Sequence, residues 1–502
     1  MNKTTTVFLV ISLFIFSLAL NLYNNDFDYH LHRDEPKKVR FIKIGTQDFM
    51  HPTFMLKLSK AIKKITKCDN EQELAVTGRT VSAFMGACIV LAAFFIARTL
   101  LPVSFALPAS LSVSVSPILV VHSHYLKEDV YFTAPFLFSL VFLIKAVETK
   151  KGLPAMLFGL SYGLALSSQY KSALFLIVLL LIPFIDRSIQ KSWYAKKIAA
   201  SLAISAMTFL VINYNIFINA AKAYKGISHE MAHIQTGHSI HFYPWDFMFL
   251  FHFKNSLTPG MTLAATAICT LGLLVSMYGW NRSSLMEKLL LLCIIIFYAA
   301  HEISPLKPAP DFMRYMIPIV PMLIIMGWLG IERAYRLLSP STGTLPGYAL
   351  LLVAAFFLCL IPAYESARLV ANLVDDTRLV ASEYIKRLDG GYVYETYALP
   401  RYDDEEFIES AADIDITEAR NNGICHIVTS SMEYDRYYYG LQCDKDRNEA
   451  VYRRHRAYER LFRYPYVEIH PKYKTFAFSN PTIRIIDICA GESDEPASAS
   501  TP

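Results

Sequence analysis

Asp34 and Glu35 are adjacent acids in the stretch "HRDEPKKVRF", set among Arg33, Lys37, Lys38 and Arg40. A second acidic pair, Glu128 and Asp129, follows His122, His124 and Lys127 in "HSHYLKEDVYF". Further along, "HEMAHIQTGHSIHFYPWDF" (229–247) carries His238, Tyr243 and Asp246, and "HEISPLKPAPDFMRYM" (301–316) carries Lys307 and Arg314. Such mixtures suit one kind of chemistry. A carboxylate within hydrogen-bond reach can take the proton of an attacking hydroxyl, while cations grip a phosphate and stabilise the charge that grows on it as a bond breaks. Singly, each of these residues reads as ordinary solvated loop. Their recurrence in successive connecting segments points to a shared cavity.

What must position them is a membrane bundle. Of the 502 residues, 54% are hydrophobic and 18% charged, against about 45–50% and about 25% in a soluble protein. The apolar residues gather in runs near the length of about 20 needed to cross a hydrocarbon core of about 30 Å. We read about eleven helical spans: 6–22, 76–97, 102–121, 130–148, 153–168, 172–186, 198–218, 258–280, 288–301, 313–331 and 347–363. The net charge of +5 is small for this length and gives no reason to expect a nucleic-acid partner.

Short-loop Lys and Arg set orientation. Lys3, Arg98, Lys145, Lys150, Lys151, Arg187, Lys191, Lys196, Lys197, Arg282, Lys288, Arg333 and Arg336 fall on one side, read as cytoplasmic. The acid-bearing segments fall on the other. The segment 23–75 departs from the pattern, with ten Lys and Arg. In "HPTFMLKLSKAIKKITK", Phe54, Met55, Leu58, Ile62 and Ile65 share one helical face and lysines cover the rest. That suits a helix lying in the membrane interface against lipid headgroups.

The expected organisation is a polytopic α-helical membrane domain over 1–363, a small α+β extracytoplasmic domain over 364–490 and a disordered tail over 491–502. In the second unit "DTRLVASEYIKRL" reads as a helix, and "GGYVYETYAL", "GICHIVTSS" and "PTIRIIDIC" read as strands. Its Tyr- and Arg-rich stretches suit either a sugar or protein acceptor, or packing against the membrane part. The eight cysteines form no metal pattern; in an oxidising compartment Cys425 and Cys443 could pair.

"HRDEPKKVRFIKIGTQDFMHP", "HSHYLKEDVYF", "GHSIHFYPWDF" and "ISPLKPAPDFMRYMIPIVP" together resemble the dolichyl-phosphate-mannose protein mannosyltransferase and aminoarabinose transferase group. These are integral-membrane glycosyltransferases of the C-type (GT-C) fold. The resemblance covers roughly residues 1–335, and "FSNPTIRIIDI" resembles the end of the external domain in some bacterial members. It implies an inverting transfer of a sugar from a polyprenyl-phosphate carrier to an acceptor glycan, lipid or protein, at the extracytoplasmic side of the plasma (inner) membrane. It further implies that Asp34, followed by Glu35, acts as base or organises the site, with Asp129 as the second acid, preceded by Glu128. Lys307 and Arg314, with Lys127 alongside, would hold the carrier phosphate, and His238, Tyr243 and His122 would lie near donor or acceptor. Hard oxygen ligands such as Asp34, Glu128 or Asp129 suit Mg²⁺ or Mn²⁺, but pairing of these acids with Lys127 is the simpler reading, and no metal site is assigned.

Two other classes compete. A transporter would place ionisable residues near the bilayer midplane on broken helices. A non-enzymatic scaffold with an external binding domain would be indifferent to loss of Asp34 or Asp129.

Overall fold

The computed structural model describes residues 2–68, 70–186, 189–236, 249–303, 313–339, 345–400, 406–438, 445–446, 448–473 and 480–491. Helix α1 (Lys3–Leu22) starts at Asn2, whose side chain accepts from the amide of Thr5 at 2.7 Å. Such a cap satisfies an otherwise orphaned N–H. Then come α2 (Glu35–Ile44), α3 (Phe54–Thr66) and α4 (Glu71–Leu100). Asn70 caps α4, and Glu71 and Glu73 in its first turn complement the helix dipole. The interfacial segment does form its helix, α3, but it is not simply laid on a surface. Met55 is fully buried, Ile65 is exposed, and Lys57 Nζ sits 3.8 Å from the ring centroid of Tyr214.

The chain continues through α5 (Val103–Ser114), α6 (Pro117–Ser123), α7 (Glu128–Thr149), α8 (Gly152–Leu166), α9 (Phe175–Ile185), α10 (Lys191–Ile212), α11 (Tyr214–Ile218) and α12 (Ala220–Thr236). After it come α13 (Thr258–Met261), α14 (Leu263–Tyr278), α15 (Leu285–Glu302), α16 (Val320–Leu338), α17 (Leu345–Ala355) and α18 (Ile361–Ala371). All eleven expected ranges carry helix. By length and hydropathy, however, six helices among the described residues can cross a membrane, or eight if each of two bent pairs is one span. The pair α5–α6 bends by 55°, because a residue before proline avoids helical geometry and Ser116, before Pro117, is extended. The turn into α14 is sharper, 111°, at Thr262 with φ +77°. The segment from 229, expected as a loop, is helical as far as Thr236.

Helices α4, α7 and α16 form the centre of the bundle, whereas α1 and α10 bury about a tenth of their apolar windows and turn Phe8, Met207 and Val211 outward. Small residues set the closest crossings, as in membrane bundles generally. On α14, a Cβ at Gly272 would lie 2.2 Å from the carbonyl oxygen of Met326 on α16. Between α8 and α10, Ser201 and Ser205 donate to the carbonyls of Ala155 and Gly159 at 2.9 and 2.8 Å.

Beyond α18, α19 (Thr377–Ile385) leads into a sheet of β1 (Gly391–Glu395), β2 (Phe407–Ile408), β3 (Ile424–Ser430), β4 (Tyr466–Ile469) and β5 (Ile483–Asp487). The strand order is β2-β1-β3-β5-β4; β1 runs parallel to β2 and β3, and β5 antiparallel to β3 and β4. The disulfide joins Cys425 to Cys489, not to Cys443, which lies outside the described residues. The pairing follows from the sheet, since β3 and β5 are antiparallel neighbours and bring Cys425 beside the end of β5. Arg378 of α19, chelated by Asp376, donates to the carbonyl of Leu31 and so docks this unit onto the segment carrying Asp34.

Gly272→Val is expected to destabilise the α14–α16 crossing by about 1–3 kcal/mol. Thermal unfolding in detergent should show a clear loss of Tm for this variant and little change for Leu271→Val, whose side chain is 62% exposed.

Candidate functional site

The stretch read as an acidic loop is the start of a helix. Glu35 begins α2, Pro36 follows in the first turn, and Asp34 stands at the N-cap. A capping Asp ordinarily accepts from amides of the first turn. Asp34 makes no such bond. Its carboxylate pairs with Lys127 Nζ and lies 3.7 Å from Arg314 Nη1, while its amide donates to His32 Nδ1 at 3.1 Å. Its side chain is 40% exposed, against 4% for Lys127 and 17% for Arg314. A local rule set aside in this way is expected at a functional position.

Glu35 faces the other way. It is fully buried and held by Arg79 of α4, with Nε to Oε1 at 3.0 Å and Nη2 to Oε2 at 2.5 Å. The amide of Leu126 donates to it at 2.8 Å. Arg79 also donates to the carbonyls of Asn25 and Phe27 and stacks 3.6 Å from the ring centroid of Phe27. The expected acid pair therefore divides: Asp34 is open, and Glu35 is consumed in an internal bridge.

The second pair opens α7, with Lys127 at the N-cap. Glu128 pairs with Lys38 of α2, and Gln169 Nε2 donates to Asp129 Oδ1 at 2.9 Å. Lys171, Arg314, His122 and Lys127 all act electrostatically on Asp129. Lys171 Nζ stands 5.7 Å from the ring centroids of both Phe132 and Tyr315, and the Arg314 guanidinium 5.8 Å from that of Tyr315. His122, on α6, is 1% exposed. Asp34, Asp129, Lys127 and Arg314 thus meet at one place. His238, Tyr243 and Lys307 lie outside the described residues.

Burial pushes the Asp34 carboxyl up, but Lys127, His32 and Arg314 outweigh it and hold it well below the usual carboxylate range. Burial pulls the Lys38 ammonium down, and Glu128 more than restores it, so it stays charged. Lys127 is shifted down from its ordinary value by burial and by Arg314, against the pull of Asp34.

The acids do not converge as a divalent-metal ligand set. Asp34, Glu128 and Asp129 each engage a different partner, and no group of three or more His, Cys, Asp or Glu poised to hold a metal occurs among the described residues. Arg33, just before the acids, lines a separate shallow cleft with His30 and Leu31 against Tyr394, Glu395 and Phe407.

Sequence reading missed Arg79, Gln169 and Tyr315 as members of these networks, and placed Lys38 among the cations beside Asp34, whereas the structure pairs it with Glu128. Arg79 had a signal, because it is an ionisable residue inside an expected span, and such residues are expensive unless paired or used. Gln169 and Tyr315 had none.

The bundle of long apolar helices defines a class, an integral-membrane protein. Residues 54–214 match the family model described as dolichyl-phosphate-mannose-protein mannosyltransferase. Among solved structures the chain resembles the apo oligosaccharyltransferase of Archaeoglobus fulgidus, at 12% identity and a TM-score of 0.59, over 95% of this chain and 75% of that one. The same enzyme (AglB) in complex with an inhibitory peptide and a dolichol-phosphate aligns with a TM-score of 0.56 at 12% identity, over 95% and 74%. ArnT from Cupriavidus metallidurans in the apo state aligns at 13% identity and a TM-score of 0.50, over 98% of this chain and 99% of that one. No curated protein matches the chain's sequence. The family model thus matches residues 54–214, and the fold is shared with the solved oligosaccharyltransferase and ArnT structures.

Removing Arg79 leaves Glu35 charged and unpaired in the interior, and breaking a buried pair in this way costs about 3–5 kcal/mol. Arg79→Met should therefore fail to accumulate or unfold far below wild type, while Glu35→Leu combined with Arg79→Met recovers part of the loss. Expression and thermal unfolding of the single and double variants provide the check.

Proposed function

We propose that this protein transfers a sugar from a polyprenyl-phosphate carrier to a hydroxyl-bearing acceptor glycan, lipid or protein, by a single inverting displacement on the extracytoplasmic side of the plasma membrane. The observation that carries the reading is the Asp34 carboxylate, displaced from its capping role and held between Lys127 and Arg314. One open acid beside two cations is the inventory such a displacement needs. A solved neighbour of this fold is in complex with a dolichol-phosphate, which favours the same carrier chemistry here.

In this mechanism the carrier phosphate enters between Lys127 and Arg314, with Lys307 as a further candidate contact. The acceptor oxygen attacks the anomeric carbon from the opposite face, its proton passes to Asp34, and the bond from the anomeric carbon to the phosphate oxygen breaks. The electron pair leaves with the polyprenyl phosphate, stabilised by the cations. Before binding, Lys127 and Arg314 hold Asp34 ionised but weakly basic. A phosphate that engages those cations relieves Asp34 of their pull and raises its affinity for the acceptor proton. Asp129 orders the neighbouring cations as the second acid, and Glu35 is structural.

Sidedness is supported by the Lys and Arg loop pattern and by the Cys425–Cys489 disulfide, a bond expected in an oxidising compartment. On this reading residues 364–490 form an external domain.

Asp34→Asn should lower transfer about 10²–10⁴-fold, the usual contribution of a general base, with unfolding temperature retained. Lys127→Met removes the strongest cation acting on Asp34, so the carboxyl pKa rises and the acid limb of the pH–activity profile moves to higher pH. Both are read by transfer of label from a radiolabelled polyprenyl-phosphate sugar in proteoliposomes. Full activity of Asp34→Asn would end the assignment.

A further inference from the structure

We infer that His32 is a positioning residue for Asp34: its side chain holds the Asp34 backbone in a turn from which the carboxylate does not cap its own helix, and so leaves that carboxylate to Lys127 and Arg314. The inference rests on the reading of Asp34 as the base and explains how the chain keeps it available.

Two fates are open to an aspartate at the start of a helix. Its carboxylate can accept from amides of the first turn, which goes with an extended backbone at the capping residue, or it can face elsewhere. Asp34 has φ −90° and ψ −19° and makes no capping bond. Those angles belong to the third residue of a type I turn, and the turn is present. The amide of Glu35 donates to the carbonyl of His32 at 3.0 Å, with Arg33 and Asp34 in the middle of the turn so closed. The amide of Asp34 donates to His32 Nδ1 at 3.1 Å. The first residue of such a turn is commonly Asp, Asn or Ser, whose side chain accepts from the amide two residues on. Here an imidazole fills that place. Pro36 adds to the effect, because it removes one of the first-turn amides that a capping carboxylate would seek.

His32 is itself fixed. It is 1% exposed, with its ring centroid 4.6 Å from that of Tyr125. The amide of the next residue, Leu126, donates to Glu35 at 2.8 Å, and Lys127 after it pairs with Asp34. Three consecutive residues at the approach to α7 therefore hold His32, Glu35 and Asp34 in place. Because Nδ1 accepts, the imidazole is neutral and carries its proton on Nε2. Burial, with Lys127 and Arg314, holds the ring well below its ordinary pKa against the pull of Asp34. With Nδ1 occupied and Nε2 protonated, His32 has no lone pair left for the acceptor's proton, and it acts through Asp34.

Transfer from a radiolabelled polyprenyl-phosphate sugar, measured per folded protein in proteoliposomes, tests this. His32→Leu replaces the ring with an apolar side chain of similar size and should lower transfer about tenfold, the effect of losing one well-placed hydrogen bond. His32→Asn, whose side-chain oxygen can accept from the same amide, should stay within about twofold of wild type. In an Asp34→Asn background, His32→Leu should cause no further loss, since a residue that acts only through Asp34 has nothing left to position. A merely structural role predicts the same fractional loss in both backgrounds. An unimpaired His32→Leu protein overturns the inference, as does a His32→Asn protein as impaired as His32→Leu, or an equal further loss on top of Asp34→Asn. If His32→Leu does not fold, His32→Phe takes its place. If neither folds, His32→Asn decides: transfer near wild type upholds the inference, and a loss of about tenfold overturns it. Full activity of Asp34→Asn would instead overturn the reading of Asp34 as the base, and the positioning role with it.

Discussion

Deep in the bundle, with neither side chain exposed, the guanidinium of Arg79 clasps Glu35 through two parallel hydrogen bonds. The same arginine gathers the carbonyls of Asn25 and Phe27, and Glu35 takes the amide of Leu126. One fork of charge therefore ties α4, the segment before α2, the start of α2 and the approach to α7. Fork-to-fork geometry between Arg and a carboxylate is directional as well as strong. With the first residue of α2 pinned, the residue before it has little choice of position, and Asp34 is displayed at the surface of the polar cluster. The openness of Asp34 is a consequence of the closure around Glu35.

The cluster it joins is built from helix beginnings. Asp34 and Lys127 occupy the N-caps of α2 and α7, and Glu128 and Asp129 the first turn of α7. Partial positive charge at a helix N-terminus favours anions, so the backbone reinforces what Lys127, Lys171 and Arg314 supply. The Lys38–Glu128 pair links α2 to α7 and keeps both starts together. From outside the bundle, Arg378 reaches the carbonyl of Leu31. The sheet-bearing unit thus bears on the same segment, at a residue three positions before Asp34.

The fold is shared with proteins at 12–13% identity, which is understandable for a membrane bundle. Lipid-facing positions need only be apolar, and crossings need only be small enough, as at Gly272 against Met326. Few positions demand a particular side chain. The demanding ones are the charged groups inside, because an ionisable residue in a span needs its partner.

The sequence alone determined that the chain is a polytopic membrane protein, where its apolar helices run, that α3 is amphipathic, and that strands occur near 391–395, 424–430 and 483–487. These follow from hydropathy and periodicity, which are local. It also showed that acids and cations recur in successive connecting segments. Tertiary structure decided which of them meet. Glu35 and Asp34 are neighbours in the chain with the same chemistry, and only packing against Arg79 or Lys127 gives them different roles. Arg79 could be noticed as a charge in an apolar run, but its partner, 44 residues away, could not be read. The disulfide partner of Cys425 was likewise set by an antiparallel strand pairing across 64 residues, beyond the reach of any spacing rule. Local pattern specifies elements; pairing between distant charges and strands depends on how the elements pack, and no short window of sequence contains that.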